Sequence, residues 1–338
     1  MPEHSAAPQI LVVADDLATQ PVLERAAAYR AAGFEVTCTL IDDVAGSTAI
    51  PDVDLVVAWL QSDTFREWHS NWASHLESAA DLGNWLEDFG GQRNAPWLPY
   101  GELFSRHRNV HYLTDATTDT HHAAVLLRVP IHRVHSIRRF VEPTANRSSQ
   151  RSSALQVVAI QPFHGWGDAP DLLVDSILEL ARRDCFERTT FQITGWGRLF
   201  EESVAPLRRF RNIALEEQEV PRREAMRRIG QADVLLSPMR AHSREGYLLE
   251  AMSAGVVPVT TELDGIDELV INRSTAMLGR PETPASHAIA CEELVKDPAL
   301  LVQLANSASA AVAVGRARTV TIEQEISLVR SLATDRSS

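Results

Sequence analysis

Short apolar runs, each followed by a segment of helical period, recur along this chain in two blocks, and this alternation constrains the fold more than any other feature. Ile10-Leu11-Val12-Val13-Ala14 is apolar throughout and stops at Asp15-Asp16, the pattern of a strand buried on both faces. Pro21 to Ala32 then carries Val22, Ala26, Ala27 and Tyr29 at helical spacing, with Gly33 placed to end the helix. Phe34 to Ile41 and Val53 to Trp59 read as the next strands. Strand, helix, strand in that order begins a parallel, doubly wound α/β sheet. Residues 60–108 break the pattern. They hold Trp68, Trp72, Trp85 and Trp97 and read as one or two helices and a long connection. Val110 to Leu113 resumes as a strand, Thr117 to Arg128 as a helix, and Val134 to Ile137 as a short strand.

Thr144 to Ser153 is polar without apolar periodicity and reads as a linker. A second alternation follows it. Strands are expected at Leu155 to Ile160, Thr190 to Thr194, Ile213 to Glu216, Asp233 to Ser237 and Val256 to Thr260. Helices are expected at Pro170 to Arg183, Glu202 to Phe210, Arg222 to Gly230 and Glu245 to Ala254. An Ala-rich helical region over 285–315 and a last helix at Ile322 to Leu332 complete the block. Two α/β units joined by a polar linker predict a cleft between them, with ligands beyond the carboxyl ends of the strands.

Composition narrows the chemistry. The 338 residues carry a formal net charge of -13, which argues against a nucleic-acid or anionic-membrane surface. Lys296 is the single lysine, so a Schiff-base or lysine-base mechanism has almost no candidate. Cys38, Cys185 and Cys291 are odd in number and far apart, which speaks against a disulfide framework or a thiolate zinc site. Met1 to Gln9 has no secretory pattern, and no apolar run approaches the ~18–20 residues that cross a bilayer. The expectation is a cytoplasmic protein with no transmembrane segment, with a homo- or hetero-oligomer left open.

The second block carries a resemblance. Gly195-Trp196-Gly197 ends a strand; Ala232 to Pro238 reads ADVLLSP; Glu245-Gly246-Tyr247 opens a loop or helix; Leu249 to Gly255 reads LEAMSAG; Pro258-Val259 and Gly265 to Val270 follow. In this order these motifs resemble the C-terminal, donor-binding domain of retaining nucleotide-sugar glycosyltransferases of the GT-B fold, family 4 type. The resemblance is good over residues 110–270, general over 8–60, and absent from 60–108. It implies two Rossmann-like domains facing a central cleft. Their expected limits are 1–143 for the acceptor side, 144–153 for the linker and 154–320 for the donor side. A terminal helix in 321–338 would cross back to the first domain.

The resemblance also implies site residues. Glu250 would accept the donor ribose hydroxyls, a role that suits a carboxylate with its two acceptor oxygens. The family pairs this residue with a glutamate eight positions earlier; here that position is His242, while Glu245 gives a shorter Glu-x4-Glu spacing, and both remain candidate catalytic groups. Gly246 and Tyr247 would line the donor beside a helix N-terminus, whose free N–H groups and positive dipole end suit a diphosphate. Gly195 and Gly197 would let the backbone approach the donor. The family's Arg and Lys after the first strand of this domain are missing: Ile160 to Asp168 reads IQPFHGWGD. Arg198, Arg240, Arg244 and a protonated His164 are the candidate substitutes.

Other residues have readings of their own. Asp15 and Asp16 fit either a ligand or a helix cap. The tryptophans over 59–97 fit either sugar stacking or half-buried packing. His111, His121-His122, His132 and His135 lack the spacing of a metal site, and none is expected. The expectation is an enzyme that moves a sugar from a nucleotide-diphosphate sugar to an unknown acceptor, with retention, without metal or bound cofactor. The alternative is an inactive GT-B-like subunit that scaffolds a partner glycosyltransferase, which the missing Arg/Lys pair favours. A nucleotide-sugar epimerase of the same fold is a third reading.

Overall fold

The computed structural model describes residues 7–14, 20–40, 43, 53–59, 80–85, 110–114, 120–121, 123–125, 128–137, 154–240, 245–315 and 318–334. They group into two compact units. Described residues up to 137 and those from 318 onward form one, and 154–315 the other.

In the first unit, β1 (Gln9–Ala14), α1 (Gln20–Ala31), β2 (Glu35–Leu40), β3 (Leu55–Trp59), β4 (Ala80–Trp85), β5 (Val110–Thr114) and β6 (Val134–Ser136) succeed one another. All pairings are parallel, in the order β2-β1-β3-β4-β5-β6. Ile10 to Ala14 are all buried, as a strand covered on both faces requires. β4 overturns the helical expectation for its part of 60–108. Its sequence, ADLGNW, holds Asp, Gly and Asn, residues that strands usually avoid, so only pairing to β3 and β5 makes it a strand.

The second unit runs β7 (Leu155–Pro162), α2 (Pro170–Leu180), β8 (Thr189–Trp196), α3 (Phe200–Val204), β9 (Ile213–Glu217), α4 (Arg222–Ile229), β10 (Val234–Ser237), α5 (Glu245–Ser253), β11 (Val257–Thr261), β12 (Met277–Gly279), α6 (Pro284–Lys296) and α7 (Pro298–Gly315). Its parallel sheet has the order β12-β11-β10-β7-β8-β9. Counted within the unit this is the Rossmann order 3-2-1-4-5-6. The chain leaves β7 towards β8 and β9, then crosses back to place β10 on the other side of β7. The topological switch point therefore lies beyond the carboxyl ends of β7 and β10.

Three local expectations are corrected here. The helix expected over Glu202 to Phe210 is instead α3 followed by a 3-10 turn at Ala205–Leu207, because Pro206 has no N–H for a helical bond. The helical region expected over 285–315 is resolved into two helices, broken where Asp297 Oδ1 accepts the amides of Ala299 and Leu300 at 3.0 Å each and starts α7. β12 was not anticipated; three residues are too few for a period to show.

The last helix, α8 (Arg318–Thr334), belongs to the first unit. Val329, Leu332 and Ala333 join Ile10, Val12, Tyr29, Leu55 and Val57 in one core. Beside them the buried Glu325 carboxylate takes Arg25 Nε at 3.0 Å and the Tyr29 hydroxyl. By length and composition alone, Pro298–Ala333 could cross a membrane, which corrects the reading that no such stretch exists. That stretch is two helices in two units, and α7 buries Leu301, Leu304, Ala305, Ala308 and Val312 in the second unit's core.

Candidate functional site

The site is built from the loops at the switch point of the second unit. After β7 the chain enters Phe163-His164-Gly165 and a 3-10 turn at Trp166–Asp168. The Asp168 carboxylate accepts the amides of His164 at 3.0 Å and Gly165 at 3.2 Å, which fixes the turn. The loop after β8 is tied to it: the Phe163 amide donates to Trp196 O at 2.7 Å, Leu199 N to Phe163 O at 2.9 Å, and Arg198 Nε to His164 O at 3.1 Å.

The two glycines of this strand end serve different purposes. At Gly195 an added Cβ would lie 2.4 Å from Phe163 Cε2 and 2.7 Å from Phe200 Cδ2, so the position is set by ring packing. Gly197 has φ +115°, and a Cβ there would meet the His164 ring at 2.5 Å. Gly197 thus lets the two loops lie against each other.

Arg240, three residues past β10, faces this pair of loops. Its guanidinium donates to both Asp171 oxygens at 2.7 Å, to both Glu282 oxygens at 2.6 and 2.7 Å, and to Trp166 O at 3.0 Å. All five N–H donors are used. The side chain is only 4% exposed, and it lies over the Trp166 ring, 4.6 Å from the centroid. Its hydrogen bonds to Asp171 and then to Glu282 hold the guanidinium cationic well above its ordinary range, and the same bonds depress both carboxyls. Two carboxylates thus already pair with the guanidinium that the sequence reading offers to a diphosphate. Asp171, Glu282 and Trp166 were not singled out. Asp171 follows Pro170 at the start of α2, a place where acids are common for dipole reasons, so the sequence alone gives it an ordinary explanation. Glu282 is forty-two positions from its partner and has no local signal.

α5 opens at Glu245, so Glu245 and Gly246 occupy a helix N-terminus as expected for those positions. His242 and Arg244 lie outside the described residues, as do Asp15, Asp16, His122, Trp68, Trp72, Trp97 and the 144–153 linker. Tyr247 is half-buried, and burial raises its phenol above the usual range. Glu250 has an 11% exposed side chain and pairs with Arg222 at the start of α4. Arg222 was not anticipated either.

Among the described residues no group of three or more His, Cys, Asp or Glu could hold a metal ion. In the first unit the structure does bring two scattered histidines together. His111 Nδ1 and His135 Nε2 lie 2.9 Å apart across β5 and β6, with stacked rings. Burial, and then the neighbouring His135, lowers His111 to about 4.

Two parallel α/β sheets, the second in Rossmann order, place the chain among known structures. The fold is GT-B. Residues 155–297 match the model of the family described as glycosyl transferases group 1. No curated protein sequence matches the chain. Among solved structures, HepE from Anabaena in complex with UDP and glucose superposes with a TM-score of 0.71 at 12% identity, covering 96% of this chain and 99% of that one. Sucrose-phosphate synthase from Thermosynechococcus elongatus gives 0.72 at 13% identity, over 96% and 99%. A TarM variant from S. aureus, in complex with fondaparinux, alpha-GlcNAc-glycerol and UDP, gives 0.66 at 12% identity. That match covers 81% of this chain and 55% of TarM, so the chain spans about half of TarM's length.

Proposed function

We propose that this protein transfers a glycosyl group from a nucleotide-diphosphate sugar to an acceptor, with retention of configuration and without a metal ion, in the cytoplasm. The carrying observation is the second unit itself: a glycosyltransferase domain in Rossmann order, with the helix N-terminus of α5 at Glu245 following its switch-point strand β10. The UDP complexes of HepE and TarM support a nucleotide sugar as donor.

Transfer breaks the bond between the sugar's anomeric carbon and a β-phosphate oxygen, and the electron pair leaves with the diphosphate. The acceptor hydroxyl forms the new bond and gives up its proton. Negative charge grows on the β-phosphate, and fixed donors aimed there lower the barrier. In this reading the amides of α5 around Glu245 and Gly246 supply part of that stabilisation. Arg198 adds a full charge: its Nε holds His164 O, and its two terminal nitrogens have donors to offer. Arg244 and His164 stand with it, His242 or Glu245 serves at the reaction centre, and Tyr247 lines the donor. Glu250 takes the ribose hydroxyls, sharing or exchanging its contact with the largely exposed Arg222.

One observation favours the second reading, an inactive subunit that scaffolds a partner glycosyltransferase: Arg240 is neutralised by Asp171 and Glu282, and the Ile160 to Asp168 stretch holds no arginine or lysine in compensation. Calorimetry with UDP-, GDP-, ADP- and dTDP-sugars, followed by turnover assays in the presence of EDTA and by NMR of the product anomer, separates the two. Donor binding with EDTA-resistant, retaining turnover is expected. Binding without turnover on any acceptor extract supports the scaffold. Silence from every nucleotide sugar rejects the transfer reading and favours the scaffold.

A further inference from the structure

The second unit's sheet pairs its strands in parallel, and parallel sheets are ordinarily covered by helices on both faces. One face of β8 and β9 departs from this rule. On the covered face Phe191, Ile193, Ile213 and Leu215 pack into the core that holds Phe200 of α3. The residues between them, Thr190, Gln192, Ala214 and Glu216, point the other way, as alternation along a strand requires. Gln192 and Ala214 are exposed there. α4 covers the carboxyl-end part of this face, where Arg228 reaches across to Thr194 Oγ1 at 2.8 Å and to the Glu216 carboxylate. Beyond Arg228, towards the amino ends of β7, β8 and β9, lies a recess of about 450 Å³. Gln156, Thr190, Gln192, Arg211, Ala214 and Gln231 help to line it. It sits at the end of the sheet opposite the switch point.

We propose that this recess binds a sugar anion, a hydroxyl-bearing ring with a carboxylate or phosphate, at a site separate from that of the donor. Charge is the first argument. Arg227 and Arg228 beside the recess are matched by Glu224 and Glu216. Arg211 makes no hydrogen bond or ion pair with any described residue. An uncompensated guanidinium offers a fork that fits two oxygens of a carboxylate or phosphate. The neutral groups are the second argument. Both ends of the Gln192 amide are likewise unengaged among the described residues. Gln231 accepts Arg227 through Oε1 at 3.2 Å and keeps its amide donors. The Thr190 hydroxyl donates to Gln156 Oε1 at 2.7 Å, and its oxygen can still accept. Side-chain amides present a donor and an acceptor side by side, and sugar hydroxyls act as both. Shape is the third argument. Ala214 adds only a methyl to the floor, which leaves room for the C–H face of a ring, and the volume lies within the range of small-ligand sites. Two sources carry this chemistry: a free sugar acid or sugar phosphate, and the acidic unit of a longer glycan.

The test follows the backbone amides of the full chain by NMR during titration with glucuronate, glucose 6-phosphate, glucose, acetate, inorganic phosphate and a tetrasaccharide of alternating glucuronate and N-acetylglucosamine. Saturable shifts at Thr190, Gln192, Arg211, Ala214 and Gln231 are expected with at least one of the two sugar anions, and weaker binding of glucose, acetate and phosphate. Tighter binding of the tetrasaccharide than of glucuronate assigns the site to a glycan, and the reverse assigns it to a free sugar anion. Arg211→Met keeps the apolar stem and should weaken the bound anion about tenfold or more, the size of effect for losing a hydrogen bond to a charged group. Gln192→Ala should weaken it roughly two- to tenfold, the size for a neutral hydrogen bond. Both side chains are exposed, so folding should be untouched in either variant. Arg209, which lies over the Phe210 ring, is the control: Arg209→Met should bind as wild type does. No saturable shift with either sugar anion or the tetrasaccharide overturns the site, as does wild-type affinity in Arg211→Met. Equal losses in Arg209→Met and Arg211→Met overturn it in favour of diffuse surface charge. Glucose bound as tightly as the sugar anions removes the role given to Arg211, and acetate or phosphate bound as tightly removes recognition of the ring.

Discussion

Arg198 and Arg240 are both cations near the switch point, yet their surroundings predict opposite responses to the same change. Arg240 is enclosed by two carboxylates and an indole. Arg240→Ala leaves Asp171 and Glu282 facing each other without a counter-charge. Both carboxylates are partly solvated, so the expected loss of stability is about 1–3 kcal/mol, read as a lower urea midpoint. Arg198→Ala should leave the midpoint nearly unchanged and lower kcat on the order of 100-fold, the size of effect for losing one donor to a developing charge. Equal midpoints for the two variants would remove the distinction drawn between them. Glu250→Ala belongs with Arg198: folding should survive, and nucleotide-sugar affinity should fall. The glycines follow steric rules. Gly195→Ala must push a methyl into Phe163 and Phe200, and overpacking of this kind costs about 1–3 kcal/mol in a chemical-denaturation series.

At the scale of elements, α6 carries a group that couples stability to pH. His287 is fully buried, bonded through Nε2 to Thr261 Oγ1 at 3.2 Å, and the same hydroxyl accepts the Met239 amide at 2.9 Å. Burial lowers its pKa to about 4, from the ordinary 6.5 of a histidine. The folded state therefore binds this proton less readily than the unfolded state. The stability tied to a neutral His287 is fully present above about pH 6.5 and is lost as pH falls towards 4, by roughly 3 kcal/mol in all. His111 adds a loss of the same sign in the first unit. Melts between pH 7 and 4.5 should show a steeper fall for wild type than for His287→Asn; parallel slopes would assign the acid sensitivity elsewhere. The docking of α8 on α1 is a second element-scale device. Glu325 is fully buried between Arg25 and Tyr29, so Glu325→Ala takes the acceptor from the buried Tyr29 hydroxyl and an ion-pair partner from Arg25, and should cost about 1–3 kcal/mol.

For the whole molecule, the chain leaves the first unit, builds the second, and returns to the first with α8. A chain ending at Gly315 would lack the side chains of Val329, Leu332 and Ala333 that complete the core around Ile10, Val12 and Tyr29. Such a truncation should bind ANS and lose the first unit's cooperative transition while keeping that of residues 154–315. Retention of both transitions would show that the returning helix is dispensable for the first unit's core.

What the sequence determined by itself was the alternation. β1, β3, β7 and β10 are built around short apolar runs, and α2 is opened by Pro170, so strand and helix declared themselves within short windows. The order of motifs from Gly195 to Val270 pointed to GT-B for the same reason, since each motif is local. β4 did not declare itself, because ADLGNW becomes a strand only through its neighbours. The state of Arg240 was equally invisible. Its partners lie sixty-nine positions before it and forty-two after it, and whether a cation is free or neutralised depends on which carboxylates the fold brings within hydrogen-bond distance. Trp166 is one of seven tryptophans in the sequence; only the tertiary structure left its ring in water, braced on Arg240, because burial and support are set by contacts distant in the chain.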